Sequence, residues 1–273
     1  MLVFDTLDRC LQLSPTSMAS PVPLSKAAEV FPQLADLMSA GKEIDEFSLA
    51  RFERAAQASM EATPKTAFQL LGMVAACRWD VDGVHANFQE ALTAGSGYAG
   101  HANYAAALRA ISRTREAATQ VECAAKLAPE NLNYLREAVA IRFCLGDWES
   151  TLRLIDTFES RSSEKEEHFD HMREIIQFSS ELGLRESTVQ ECMNVTFGFL
   201  ANERIGFVGV ADSVDSWSDE GSIYFDVLVR ASEDRAAELD EQLTPLLFEG
   251  VGDLQLGVFG LTIRYFSDAD TAS

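Results

Sequence analysis

The sequence predicts a mainly α-helical chain of helical hairpins, closed at its C-terminal end by a small α+β layer of order β-β-α-β. Three observations predict it. A helical pattern recurs about every 33 or 34 residues between residues 65 and 159, a spacing that belongs to helix-turn-helix repeats. From Ile205 the apolar period drops to two residues, the rhythm of a half-buried strand. The 273 residues, 47% of them hydrophobic, suffice for an elongated core plus a small second domain.

At the N-terminal end, Leu2, Val3, Leu7, Cys10 and Leu11 have the spacing of a short amphipathic helix. Three prolines follow between residues 14 and 23 and break it, so residues 1–24 read as a helix and linker. Ser25 is placed to cap a helix that runs to about Ala40 and ends at Gly41. Phe47, Leu49, Phe52, Ala55 and Ala56 make the stripe of its partner, and Pro64 marks the next break. The clear units begin at Lys65, Tyr98 and Leu132. Beyond residue 159, Phe169, Met172, Ile175, Ile176, Ser179 and Leu182 form one more stripe. Gly183 turns the chain, and Val189, Cys192, Met193, Phe197 and Leu200 form the next. Five hairpins thus begin near residues 25, 65, 98, 132 and 164. They imply about ten to twelve helices up to Ala201, with no strand before residue 190. The helical array occupies residues 25–204.

Residues 205–273 form the second domain. Ile205–Val210 and the run SIYFDVLVR alternate as strands, rich in β-branched and aromatic residues. Ser232 caps a helix whose first turn carries Glu233 and Asp234, favourable at the positive end of its dipole. Ala236, Leu239, Leu243, Leu246 and Leu247 form its apolar side, and Pro245 bends or ends it. Residues 256–266 close as a strand with Phe259, Leu261, Ile263 and Tyr265 on one face. Three strands leave an edge unpaired, which predicts strand addition by a peptide or homodimerisation through the sheet.

Charge narrows the function. The formal net charge is -21, from 43 acidic and 22 basic residues, which excludes the cationic footprint that a nucleic-acid backbone needs. From Ile205 onward, 14 acids face 3 arginines. No apolar run reaches the length of a membrane span. The five cysteines, Cys10, Cys77, Cys123, Cys144 and Cys192, are odd in number, lack a CxxC pair and lie among apolar residues. That usage predicts buried, reduced thiols and a cytoplasmic location.

The small-residue turns, Phe88 with Ala91, Ala117 with Ala124, the closing KLAPEN and the opening GDW resemble the tetratricopeptide repeat (TPR) family. No tryptophan opens a unit, and Arg142 stands where an aromatic is usual. The resemblance implies a TPR-like α-solenoid whose first helices line a concave face. It implies a non-enzymatic scaffold, adaptor or chaperone-like protein that holds a peptide or protein there. In that register Arg78, Arg109 and Arg142 occupy positions 14, 12 and 11 of successive units, at similar heights. With Arg136, Asn103 and Asn133 they form the expected partner-binding set. Forked guanidinium donors suit carboxylates, so the expected occupant is an acidic segment, a chain terminus or the chain's own tail through Asp215, Asp219 and Glu220. Replacing Arg109 and Arg136 by alanine is expected to weaken binding without unfolding the array.

The tail supplies a seventh candidate contact, Trp217, an aromatic amid acids in DSVDSWSDEG. That stretch reads as a hairpin loop holding Asp212, Asp215, Asp219 and Glu220, and its spacing is not that of an EF-hand. Gly95 to Gly100 matches GxGxxG in spelling, but helix precedes it, so it reads as a turn between repeats. His168 and His171, with Glu164 one turn earlier, have a spacing that could bring metal ligands together. The packed or groove-lining reading is preferred, because no fourth ligand is evident. There is no GxSxG, and His85 and His101 show no acid-base partner. No catalytic residue, metal site or cofactor is therefore expected. Two alternatives stand beside the scaffold: an acidic inhibitor or antitoxin-like protein that blocks a basic partner, and a metal-dependent enzyme using the acidic tail.

Overall fold

The computed structural model describes residues 2–3, 25–41, 43–163, 165–215 and 221–266. The expected linker, the greater part of the expected N-terminal helix, Cys10, Glu164, Trp217, Asp219 and Glu220 lie outside the described residues. Eleven helices and four strands are described. In order they are β1 (Leu2–Val3), α1 (Lys26–Ser39), α2 (Glu46–Gln57), α3 (Pro64–Cys77), α4 (Val81–Thr93) and α5 (Gly97–Ala110). Then come α6 (Thr114–Leu127), α7 (Leu132–Cys144), α8 (Trp148–Glu159), α9 (Glu167–Glu181) and α10 (Glu186–Asn202). The chain closes with β2 (Phe207–Asp215), β3 (Ser222–Val229), α11 (Glu233–Gly250) and β4 (Phe259–Tyr265). The protein is mainly helical with a small C-terminal sheet, as the two periodicities predict.

Short polar side chains start these helices. Ser25, Asp45, Asp80, Asp147 and Ser232 each accept a hydrogen bond from the backbone N–H three residues on, each worth about 1 kcal/mol. Glu186 of α10 adds a second acceptor at the start of α8, taking the Trp148 N–H at 3.1 Å. Gly146 turns the chain between α7 and α8 at φ +69°, where a Cβ would also meet Val189 at 2.7 Å. Both conditions require glycine.

The chain divides into two compact units, residues 5–134 and residues 135–273 with 1–4. The packing boundary falls inside α7 rather than at the change of period near residue 205. In the first unit α1 packs on α2 and α3, α3 on α4 and α5, α4 on α5, and α5 on α6. Gly72 allows α3 and α4 to approach closely, since a Cβ there would lie 2.5 Å from the Phe88 ring. That ring stacks on Tyr104 at 4.8 Å with the planes 7° apart. Helix α5 is buried without interruption from Ala102 to Arg109.

The second unit joins α8 to α9 through an edge-to-face contact of Phe158 and Phe169 at 5.0 Å. Phe197 of α10 meets Phe207 of β2 at 4.8 Å, and Phe143 of α7 meets Phe225 of β3 at 5.9 Å. Phenylalanines thereby hold the sheet to the helices that precede it, which is why these helices belong with the sheet and not with α1–α6. The strand order is β1-β2-β3-β4. β2 and β3 are antiparallel from Phe207↔Val229 to Asp215↔Ser222, with an irregularity at Phe207/Gly209. β3 and β4 are parallel from Ile223↔Phe259 to Val229↔Tyr265, so α11 is the crossover that a parallel pair requires.

Three expectations change, and the one for Pro245 narrows. Leu2–Val3 is a strand, pairing antiparallel with Val210 and Gly209, where a helix was expected and no strand before residue 190. Two apolar residues suit either period, and the open edge of β2 selects the extended form. Asp212 and Asp215 belong to β2 rather than to the following loop, because pairing with Phe225 and Ser222 holds them extended despite their poor β-propensity. Pro245 does not end α11, which continues to Gly250. The last strand starts at Phe259 rather than Leu256; Gln255, at φ +45°, instead binds the α9–α10 turn, accepting from Arg185 N at 2.9 Å and donating to Gly183 O at 3.0 Å.

The outer edge of β4 is guarded. Asp240 of α11 accepts the Ile263 N–H at 2.7 Å. Burial raises the Asp240 pKa, and Asp226 and Glu241 add to the rise against the opposing pull of that hydrogen bond. A carboxyl raised above its ordinary value of 3.8 binds its proton more tightly when folded, so its ionisation lowers stability as pH rises from about 4. Asp240→Asn keeps an acceptor for Ile263 and removes that loss. Urea unfolding should show D240N gaining on the wild type between pH 4 and 7. Asp240→Ala should instead cost about 1 kcal/mol, because the Ile263 N–H loses its partner.

Candidate functional site

Three of the four candidate arginines bind carboxylates of their own chain. Arg78 follows the last residue of α3 and contacts both Glu46 and Glu53 of α2, the Glu46 pair at 2.9 Å. Glu53 first, then Glu46, hold its guanidinium charged still more firmly than usual. Arg136 donates through Nε to Glu166 at 3.0 Å and lies over the Phe158 ring at 5.3 Å. Arg142 reaches Asp147, the cap of α8, at 2.9 Å. The fourth, Arg109, is only 4% exposed. A side chain so buried is part of the packing, and Arg109→Ala removes a core residue rather than a surface contact.

The two asparagines differ. Asn133 is half-buried in the first turn of α7, its N–H donating to Asn131 Oδ1 at 3.2 Å. Asn103 is 2% exposed and donates through Nδ2 to Gln69 Oε1 at 2.6 Å, while Gln69 Nε2 donates to Lys65 O at 3.1 Å. Gln69 and Asn103 are 34 residues apart on α3 and α5. The seventh candidate, Trp217, lies outside the described residues.

The structure also brings together groups that the sequence left separate. His85 of α4 hydrogen-bonds the Tyr104 hydroxyl through Nδ1, and its Nε2 is 3.3 Å from Glu116 of α6. Glu116 also holds Arg113. Burial, with the Glu116 charge, raises the Tyr104 pKa, so the phenol stays protonated. His101 bonds Gln120 at 2.8 Å; an amide oxygen only accepts, so His101 Nδ1 carries the proton. Both histidines therefore tie α6 to its neighbours. His171 of α9 donates through Nε2 to Asp212 Oδ2 of β2 at 2.6 Å, and His168 is exposed rather than packed. The Asp212 partnership was hidden because a carboxylate among turn-forming residues reads as loop. Its one sequence signal is the alternation Val208, Val210, Asp212, Val214, which continues the strand through it.

Gly95 and Gly97 lie at the α4–α5 turn with φ +84° and +59°, between two helices and beside no strand. Cys77, Cys123, Cys144 and Cys192 form no disulfide. Burial pushes Cys77 up to about 11 against the opposing Arg78 charge. Burial also raises Cys192 to about 11, with Glu191 adding to the effect. Such thiols are weak nucleophiles at neutral pH. Among the described residues no helix is long and apolar enough to cross a membrane. No family model matches the chain, and no curated protein or solved structure shows significant similarity to it.

Asn103→Ala leaves Gln69 Oε1 without its buried donor, and urea unfolding should show a loss of about 1–3 kcal/mol. A Gln69→Ala, Asn103→Ala double-mutant cycle should recover part of that loss. A surface contact residue would leave stability unchanged.

Proposed function

We propose that this protein is a non-enzymatic scaffold whose TPR-like helical hairpins hold a protein or peptide partner. The observation that carries the reading is the Asn103–Gln69 hydrogen bond, made between residues 34 positions apart on the first helices of successive hairpins. Near-equivalent positions that meet across about one repeat length are what a stacked array of similar units produces. The packing of α1 on α3 and of α3 on α5 supports the same register. Stacked first helices form the binding face in such arrays. Here the buried α5 narrows the surface that can serve. The exposed residues of α1, with Lys65 at the start of α3, are the better contact surface than Asn103 and Arg109.

An acidic segment remains the favoured occupant, and cysteines outside any disulfide fit a reducing, cytoplasmic setting. The reading as an acidic inhibitor rests on net charge alone.

The test is crosslinking of the full-length chain to a partner captured from extract, at low and high salt. Crosslinks on α1 and α3, and binding weakened severalfold by Lys65→Glu and by raised salt, are expected. Crosslinks confined to residues 205–266, or binding indifferent to both perturbations, would overturn the proposal.

A further inference from the structure

We propose that Asp212, His171 and His168 form a binding site for a zinc-class divalent cation, independent of the scaffold reading. The Asp212 side chain is 1% exposed. One carboxylate oxygen takes the His171 Nε2–H at 2.6 Å. The other, Oδ1, is buried with no hydrogen-bond partner. A buried carboxylate with an unsatisfied oxygen is costly, and the residue paired with Asp212 across the sheet is the apolar Phe225. A cation beside Oδ1 supplies what the protein withholds.

Ligand chemistry selects the metal. Imidazole with carboxylate suits zinc and its first-row neighbours, whereas magnesium and calcium favour sites of oxygen alone. In a tetrahedral site with bonds of about 2.0–2.2 Å the ligating atoms stand about 3.3 Å apart. On binding, the ion displaces the His171 Nε2 proton to solvent and stands between Nε2 and the carboxylate. The 2.6 Å contact to Oδ2 thereby opens by about 0.7 Å, and both carboxylate oxygens face the ion. His171 has room to move, because its side chain is 43% exposed. Among the described residues no three histidine, cysteine or acidic side chains already converge on one point. The third ligand comes by rotation of His168, exposed one turn earlier on α9, since residues three apart on a helix are neighbours on its surface. Two histidines and one carboxylate leave a fourth position open to water or to a donor group from outside. The metal would bind α9 to β2 and give the unpartnered Oδ1 a cation to face.

Cobalt(II) is the probe, titrated into full-length protein freed of metal by chelator and dialysis. The expected result is a single equivalent that develops tetrahedral visible absorption without a thiolate charge-transfer band, and that zinc displaces. His171→Gln and Asp212→Asn should each weaken binding at least about tenfold, as should His168→Gln. Circular dichroism checks that each variant is folded. Should D212N unfold, H171Q decides, because His171 is half-exposed and its amide replacement still donates to Asp212. Absence of the tetrahedral band, a thiolate band, or affinity unchanged in H171Q would overturn the site.

Discussion

Helix α5 sets the terms for the first unit, because it is buried on every side and must be approached by its neighbours at close range. Its run of Ala99, Gly100, Ala102, Ala105, Ala106 and Ala107 permits that approach, and Gly72 gives α3 the same freedom against Phe88. Small side chains bring little apolar area each, so stability comes from closeness of packing rather than from bulk. The same burial leaves polar residues no access to water. Asn103 Nδ2 finds its acceptor in Gln69 of α3, and His85 with Tyr104 and Glu116 joins three successive helices in a polar chain. Each such bond fixes the register of one helix against the next.

The second unit depends on a different device. Large rings at Phe143, Phe197, Phe207, Phe225 and Phe259 fill the space between helix and sheet. The parallel pairing of β3 with β4 then requires the α11 crossover, and α11 delivers Asp240 to the edge of β4. A charge at the middle of an edge strand opposes further strand pairing, so the open edge expected from three strands is partly closed by the helix that made the third strand possible. At the other edge the short β1 covers only Gly209 and Val210.

Much of this architecture is written in local sequence. The two periods separate helices from strands, Ser25 and Ser232 mark helix starts by their own side chains, and the glycines mark turns through conformations that they alone adopt readily. These signals span a few residues, so they are readable without the fold. What only the tertiary structure decided are the partners of side chains that could serve several roles. An arginine reads identically whether it faces a groove or, like Arg78, a carboxylate of the preceding hairpin. Asp212 reads as loop until pairing with β3 carries it into the core against His171, 41 residues away. Leu2 and Val3 read as helix until the edge of β2 offers them hydrogen bonds. Local periodicity determined the elements, because backbone geometry repeats over a few residues. Burial and long-range pairing decided the site, because desolvation and hydrogen-bond satisfaction depend on neighbours that the chain brings together only when folded.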